Sequence, residues 1–222
     1  MFKQSLALLG ALSLSSLAQA EGLGLGAHGG LMGIGIDGYY RLSDKVVARG
    51  SYNTGDYDYD TTEEDVEFAA TYTFDNAQLG VDWYPFAGGF RLSAAYVANG
   101  NELEMNAVPT GGTFTLNGVD YAAGDVGSMR ATVSYPESAA YVGMGWGNPV
   151  GAGKGLGVTF DIGAYYLGEA EVAQTVSCGT FTLPGDCAQI REDAEAERQQ
   201  LEEDLSDFPF WPQIQLGLTY QF

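Results

Sequence analysis

Alternation of apolar and polar residues is the dominant pattern in this chain, and it is clearest at the C-terminus. From Gln213 to Phe222, every even position is apolar or aromatic and every odd position is polar or glycine. A period of two is typical of a strand whose two faces meet different surroundings. Ten residues also match the length of one tilted strand across a membrane.

The same alternation recurs upstream and predicts eight antiparallel strands. They cover residues 21–28, 31–42, 45–55, 65–84, 89–104, 128–147, 155–168 and 210–222. Short connections near residues 42–45, 85–89 and 151–155 alternate with long ones at 56–65, 99–137 and 169–209. An even number of strands brings all the long loops to one end of a barrel. We therefore predict an all-β fold, an antiparallel transmembrane barrel.

One segment departs from a simple strand. The apolar parity changes between Phe74 and Ala77, across Asp75 and Asn76. A β-bulge in one long strand accounts for the change and keeps eight strands. A two-residue hairpin turn accounts for it too, and would give ten strands. We favour the bulge, because eight strands keep all long loops on one side.

The last long connection contains a helical pattern. Between residues 186 and 208, one helical face carries Ile190, Ala194, Leu201, Leu205 and Phe208, with Glu and Gln around them. This predicts a short amphipathic helix in that loop. Two placements stay open: a cap over the barrel mouth, or a solvated acidic helix lying on the loops.

The N-terminus predicts export. Lys3 precedes an apolar stretch at residues 6–17, and Ala18-Gln19-Ala20 supplies the small residues of a cleavage site. This pattern is typical of a secretory signal peptide at residues 1–20, which leaves a single domain at 21–222. The apolar stretch is shorter than the roughly 20 residues of a transmembrane helix.

The end of the chain resembles a known signal. Phe222 is the last residue and Tyr220 lies two before it. This pattern resembles the C-terminal signal of bacterial outer-membrane barrels, and the organisation of the chain resembles the small OmpA-type barrels of Gram-negative bacteria. The resemblance implies barrel-assembly machinery and periplasmic chaperones as partners. It also implies a location in the cell outer membrane, with extracellular long loops and both termini in the periplasm.

That setting fixes which face of each strand is polar. Lipid replaces the core on the outside of a membrane barrel, so apolar residues face outwards and polar residues face the lumen. Outer-membrane lipid and lipopolysaccharide are then the expected surroundings of a barrel that we expect to be a monomer.

The charge of the chain limits its partners. Asp and Glu number 29 against nine Lys and Arg, a formal net charge of −20. Nucleic acid is excluded as a partner, because it requires a basic footprint. Loosely bound Ca²⁺ or Mg²⁺, bridging acidic loops to lipopolysaccharide, is the one candidate cofactor.

One acidic stretch has the spacing of a calcium-binding loop. Asp56, Asp58, Asp60, Glu64 and Glu67 fall at ligand positions of that motif. Thr61 stands where the motif needs glycine, and no helices are predicted on either side. A weak calcium loop and a solvated acidic loop both stay open.

The two cysteines, Cys178 and Cys187, lie close together in an exported chain. An oxidising compartment favours a disulfide between them, closing a short loop.

The polar faces of the predicted strands carry charges of both signs. They are Asp37, Arg41, Arg49, Glu67, Asp82, Arg91 and Asp161. An eight-stranded barrel is only wide enough inside for side chains, and buried charges are tolerable only when nearly balanced. We predict an ionic network that plugs the lumen, with a narrow ion or proton path as the alternative.

The sequence assigns no catalytic residue. His28 is the one histidine, but a general base needs a nucleophile and an orienting group within hydrogen-bond reach, and no motif marks either. We therefore expect a non-enzymatic outer-membrane barrel with a structural or surface-interaction role. The alternatives are an outer-membrane enzyme acting on lipid or lipid A, a narrow channel or transporter of small hydrophobic molecules, and a soluble ligand carrier.

Overall fold

The structure, a computed structural model, describes residues 22–63, 65–151, 153–180 and 182–222. The predicted signal peptide and Glu64 of the predicted calcium loop lie outside the described residues. No helix in the described ranges combines the length and apolar character of a membrane span.

Thirteen strands and one helix make up the described chain. In order they are β1 (Leu23–Gly30), β2 (Gly33–Ser43), β3 (Val46–Glu63), β4 (Val66–Trp83), β5 (Phe90–Asn99), β6 (Glu102–Pro109), β7 (Thr113–Leu116), β8 (Val119–Ala122), β9 (Val126–Ser134), β10 (Ser138–Trp146), β11 (Gly155–Tyr166), β12 (Glu171–Cys178), α1 (Pro184–Ser206) and β13 (Phe210–Gln221).

Eight of these strands close into a barrel. The order around the ring is β1, β2, β3, β4, β5, β10, β11 and β13, and every neighbouring pair is antiparallel. The first and last strands seal the ring, from Gly24 opposite Gln221 to Gly30 opposite Gln215. The predicted eight-stranded barrel is confirmed, and the ten-stranded alternative is wrong.

A second structure stands on the long-loop end of the barrel. Residues 66–73 of β4 leave β5 and pair with β6, which pairs with β9, which pairs with β12. Together with the part of β3 beyond Thr54, these strands form a five-stranded sheet. We call this sheet, the β7–β8 hairpin and α1 the head module (residues 55–74, 100–137 and 167–209). The three predicted long loops are therefore largely regular structure.

Two predicted strands turn out to be divided. The predicted strand 89–104 ends in the barrel at Asn99, and β6 begins separately at Glu102. The predicted strand 128–147 is interrupted between Ser134 and Ser138, where Pro136 has no N–H to offer a ladder. Only β10 belongs to the barrel, and β9 belongs to the head module.

The bulge predicted near Asp75 is absent. The β3–β4 ladder runs in register from Val46 opposite Trp83 to Glu63 opposite Val66. The side chains of β4 therefore keep their faces, and their surroundings change instead. In residues 76–83 of β4 the inward side chains face the polar lumen of the barrel. In residues 66–74 the side chains of the same face point into the apolar interior of the head module.

The outer surface of the barrel is apolar. Eight aliphatic or aromatic side chains there are more than 60% exposed: Ile34, Ile36, Leu79, Tyr96, Leu156, Phe210, Leu216 and Leu218. A continuous apolar band of this kind is typical of a surface in contact with lipid.

Helix α1 begins and ends two residues before the predicted segment 186–208, and it lies against the sheet of the head module. Its main contacts are with β12 and β7, both of which belong to the head module. Ile190 and Ala194 are buried, while Leu201 and Leu205 pack beside Val133 and Val172. The prediction for Phe208 is wrong: it lies beyond the helix and is 78% exposed.

The predicted disulfide is confirmed. Cys178, the last residue of β12, is bonded to Cys187 in the first turns of α1, with the two Cα atoms 5.8 Å apart. The bond ties the helix to the edge strand of the head module.

Candidate functional site

The lumen is closed at each end by a cluster of large side chains. At the long-loop end, Met32, Phe74, Tyr141, Tyr165 and Leu167 pack together and are at most 8% exposed. At the short-turn end the cluster is Tyr39, Val47, Tyr84 and Val150. The polar part of the lumen lies between these two layers.

Two arginines and two aspartates form the centre of the polar layer. Arg91 Nη2 donates to both oxygens of Asp161, at 2.8 and 2.7 Å. Arg49 bridges Asp161 at 3.3 Å and Asp82 at 3.4 Å, and Arg91 Nε lies 3.6 Å from Asp82. All four are nearly inaccessible to solvent. Two positive and two negative charges compensate each other locally, as buried ions require.

His28 and Asp37 form a second polar group beside this centre. His28 Nδ1 lies 2.7 Å from Asp37 Oδ2, and Nε2 lies 2.5 Å from Asn53 Oδ1. Since Asn53 uses its amide nitrogen to donate to Asn76, its oxygen is the acceptor for the ring. Both ring nitrogens are therefore engaged, Nδ1 with Asp37 and Nε2 with Asn53. Ser51 Oγ donates to the other oxygen of Asp37 at 2.6 Å.

Glycines on the inward face make room for these large groups. A Cβ atom at Gly145 would lie 2.7 Å from Asp161 Oδ1 and 3.1 Å from Arg91 Cζ. A Cβ atom at Gly35 would lie 2.4 Å from His28 Nε2. The high glycine content of the chain thus reflects, in part, a narrow lumen that must hold long side chains.

The seven predicted lumen charges lie in four different places. Arg49, Asp82, Arg91 and Asp161 come together in the central network, and Asp37 pairs with His28 instead. Arg41 lies at the short-turn end, where it donates to the carbonyl oxygens of Val150 and Gly151. The prediction is wrong for Glu67, which lies in the head module and is exposed.

Sequence reasoning missed the uncharged members of the polar layer. Asn53, Asn76, Gln78, Ser93 and Gln213 hydrogen-bond within it or beside it. The sequence could have indicated these residues, because each lies an even number of positions from a charged or polar lumen residue on the same strand and therefore points to the same side. Amides and hydroxyls complete the hydrogen bonding that charges alone leave unfinished.

The calcium-loop prediction is wrong about the local structure. Asp56, Asp58 and Asp60 lie on β3, whose regular extension spaces alternate side chains along one face and prevents them from wrapping around an ion. Asp58 instead accepts a hydrogen bond from Thr71 Oγ1 at 2.8 Å. Among the described residues, no three His, Cys, Asp or Glu side chains are grouped to hold a metal ion.

These aspartates occupy the free edge of the head-module sheet. Strand β2 pairs with β3 only as far as Thr54, so none of the strands in the described ranges covers residues 55–63 on that side. Charged side chains on an exposed edge oppose strand addition and aggregation. The acidic alternation therefore has a structural explanation that involves no metal.

The inner face of the head-module sheet is apolar. It carries Phe68, Ala70, Leu103, Met105, Ala107, Met129, Ala131, Val133, Val172 and Val176, which the strand registers place on one side. Buried clusters join this face to α1 through Ile190, Ala194, Leu201 and Leu205. The head module thus has a hydrophobic core of its own.

Hydrogen bonds of the helix shift several pKa values in the head module. The bond from the Tyr121 hydroxyl to Asp193 raises the pKa of Tyr121 to about 12 and lowers the pKa of Asp193. The hydrogen bond from Arg198 lowers the pKa of Glu195 to about 2. Arg198 also bonds Glu202 and the carbonyl oxygen of Val172, which joins the helix to β12.

Charge is divided very unevenly between barrel and head module. The head module contains 23 of the 29 Asp and Glu residues and three of the nine Lys and Arg residues, namely Arg130, Arg191 and Arg198. Nearly all the net negative charge of the protein is therefore on the head module. The lumen charges, in contrast, are balanced.

Comparisons with known proteins identify the fold. No family model and no curated protein matches the sequence. Two crystal structures of Acinetobacter baumannii proteins, CarO and CarO2, superpose with TM-scores of 0.60 and 0.63 at 20% and 18% identity. They cover 90% and 92% of this chain and 97% and 100% of their own. These are outer-membrane β-barrel proteins. The chain has their fold.

A third structure, Neisserial surface protein A, covers 90% of this chain and 94% of its own at 10% identity. Its TM-score of 0.31 is too low to inform the fold further.

Proposed function

We propose that this protein is a closed outer-membrane barrel that anchors an acidic, folded head module at the cell surface, where the head module makes the functional contacts. The observation that carries the proposal is the continuity of β3 and β4. Each strand runs without interruption from the lipid-facing barrel into the head-module sheet. Rigid strands of this kind hold the head module at a defined position above the membrane.

The closed lumen supports anchorage rather than conduction. Apolar clusters occupy both ends, and the ion pairs between them include one that joins opposite sides of the ring: Arg49 on β3 meets Asp161 on β11. Breaking such pairs to open a path would leave uncompensated charges in a narrow space. The network acts as a set of internal crosslinks.

A surface-interaction role is also favoured over catalysis at His28. Both ring nitrogens are engaged, by Asp37 and Asn53, and the residue is only 6% exposed. A general base requires an accessible nitrogen that can take a proton from the reacting group. His28 serves as a lumen crosslink between β1, β2 and β3.

The envelope partners belong to the same proposal. Tyr220 and Phe222 at the chain end serve as the signal for the barrel-assembly machinery. Lipid surrounds the apolar belt, and loosely held divalent cations link the acidic head module to lipopolysaccharide. The orientation that this requires has the long-loop end outside the cell and both termini in the periplasm.

Lysine labelling tests this orientation directly. Apart from Lys3, the chain contains two lysines, Lys45 and Lys154, and both are exposed in short turns. An amine-reactive polyethylene glycol too large for porins would be added to intact cells and to lysed cells. We expect no shift in gel mobility with intact cells and a shift after lysis.

An Arg191→Lys variant supplies the matched positive signal, because Arg191 is exposed on α1. We expect this variant to be modified on intact cells. Modification of the native protein on intact cells would show that the short turns, and not the head module, face outwards. If the variant were not modified on intact cells, the head module would not be exposed at the cell surface. Either result would overturn the proposal.

A further inference from the structure

The inner face of the head-module sheet is covered over only part of its width. Helix α1 packs on the β12 side, and the buried clusters extend from there to β9 and β6. On the other side, Tyr57, Tyr59 and Phe68 point to the same face as the buried residues, because Tyr59 is opposite Ala70 and Thr61 is opposite Phe68. Their exposed fractions are 66%, 54% and 40%.

A cavity of about 480 Å³ lies where the covered and uncovered parts meet. Its floor is formed by small and flexible side chains, notably Ala70, Ala131 and Met105, and α1 contributes Leu201 to the wall. Tyr59 and Phe68 line the side away from the helix. The volume is within the range of small-molecule sites, roughly 300–1,000 Å³.

The side chains that line the cavity favour a ligand with an apolar part, and they tolerate different shapes of that part. Alanine side chains leave depth between the strands, and methionine adapts to irregular ligands because its side chain is unbranched and polarisable. Exposed aromatic rings on a sheet face are costly in water unless something covers them. A bound apolar group would remove that cost.

The charge at the cavity selects the sign of the ligand. Glu197 is the charged residue that lines it, and its Oε2 accepts a hydrogen bond from the backbone N–H of Asn117 at 3.0 Å. The neighbouring arginines are directed elsewhere: Arg198 pairs with Glu195 and Glu202, and Arg130 donates to Asn106. With 23 acids against three bases in the head module, an anion would be repelled from the cavity.

We propose that this cavity is a binding site for a small cationic amphiphile, with the apolar body between the sheet and α1 and the cationic group beside Glu197 and the faces of Tyr59 and Phe68. Aromatic faces attract cations, quaternary ammonium groups in particular. The site deepens the proposed surface function, since it gives the head module a ligand class.

Binding is measured on the full chain in lipid nanodiscs, by isothermal titration calorimetry with three short probes. These are hexyltrimethylammonium, its uncharged carbon analogue and hexanesulfonate. We expect the cation to bind most tightly, the neutral analogue more weakly and the anion not at all. Added salt should reduce the advantage of the cation, because the attraction is partly screened.

Two alanines provide a variant and its control. Ala70 lines the cavity, whereas Ala173 on β12 is exposed on the opposite face of the sheet, because it is the neighbour of Gln174, which lines the cavity. Ala70→Trp should abolish binding of the cation, whereas Ala173→Trp should leave it unchanged. Glu197→Gln, at an exposed position, should weaken the cation about threefold and leave the neutral analogue unaffected.

The outcomes separate the parts of the proposal. Binding that survives Ala70→Trp, or absence of binding by the native protein, would remove the site. Equal binding of cation and anion would overturn the assigned charge. The nanodisc measurement does not depend on which side of the membrane the head module occupies, so its failure and the failure of the orientation test are distinguishable.

Discussion

The lumen of the barrel and the interior of the head module share two strands, β3 and β4, yet their chemistry is opposite. On β4, the inward residues Asn76, Gln78 and Asp82 line a polar lumen, and Phe68 and Tyr72, on the same face, line an apolar interior. The strand itself does not change. In the membrane the outer face meets lipid and must be apolar, which leaves the polar residues for the inside. Above the membrane the outer face meets water, so the inside becomes the hydrophobic core.

The difference explains how each part holds together. The barrel is stabilised by backbone ladders, by lipid and by ion pairs across the lumen, so its weak points are single buried charges. The head module is stabilised by side-chain packing and a disulfide, so its weak points are cavities and the loss of the crosslink. The following predictions separate the two, from the largest expected effect to the smallest.

Removal of one lumen arginine should have the largest effect. Arg91→Met removes the closest cation of Asp161 and one of the two cations beside Asp82, and removing one partner of a buried pair costs about 3–5 kcal/mol. Urea unfolding in lipid vesicles measures this cost. Arg191→Met, on the exposed face of α1, is the control and should change little. A double variant Arg91→Met with Asp161→Leu should recover part of the loss, and equal stability of Arg91→Met and native protein would contradict the network.

Truncation of Ile190, which is buried on α1, should lower the stability of the head module and leave that of the barrel unchanged. Ile190 is fully buried between α1 and the sheet, and Ile190→Ala costs about 3 kcal/mol by leaving a cavity. We expect faster proteolysis in the 182–209 region, while the barrel keeps its heat-modifiable mobility in gels. Phe208→Ala, at a position 78% exposed, should have no such effect. Loss of the folded barrel in Ile190→Ala would show that the two parts do not fold separately.

Removal of the disulfide should loosen the helix to a smaller extent. The bond closes a loop with a sequence separation of 9, and such a crosslink contributes roughly 2–3 kcal/mol through the unfolded state. A double variant with Cys178→Ser and Cys187→Ser should show increased amide exchange in α1 and unchanged exchange in the barrel strands. Increased exchange of β1 and β13 instead would contradict this localisation.

A methyl group added inside the lumen should cost somewhat less. Gly145→Ala places a carbon 2.7 Å from Asp161 Oδ1, and overpacking of this kind costs about 1–3 kcal/mol. Gly29→Ala is the matched control, because nothing lies within 4 Å of its added carbon. Comparison of urea midpoints tests the pair. Similar midpoints for the two variants would show that the lumen has spare room.

The smallest effect concerns a carboxylate on the exposed helix. The pKa of Glu195 is lowered to about 2 by Arg198, so its contribution to stability is complete above the ordinary glutamate pKa. That contribution is lost as the pH falls through about 2. Carbon-detected NMR should show a titration midpoint near 2, which returns toward the ordinary range in Arg198→Met and stays unchanged in Arg130→Met. If the titration midpoint of Glu195 were unchanged in Arg198→Met, the ion pair between Glu195 and Arg198 would not be the cause of the lowered pKa.

The period-two pattern allowed the ring of eight strands to be predicted, because lipid imposes an apolar outer face along the whole membrane width. The same pattern led to a wrong prediction of a bulge at Asp75. A bulge shifts apolar residues from even to odd positions of the sequence, and so does a change from a polar to an apolar environment on one face of a regular strand. The pairing of β6 with β9, and of β9 with β12, joins segments that are not neighbours in the chain, and no local pattern reveals it. For the same reason, neither the cavity between Ala70 and Leu201 nor the contact of His28 with Asn53 could be predicted from periodicity.

The central claim is that the barrel is a closed anchor, and conductance of the full chain in a planar lipid bilayer tests it most directly. Insertion would be verified in parallel by heat-modifiable mobility of the same preparation. We predict no sustained current from the native protein, because the Arg49, Arg91, Asp82 and Asp161 network lies between two apolar clusters. A stable ohmic current from inserted native protein would contradict the account and establish a channel in its place.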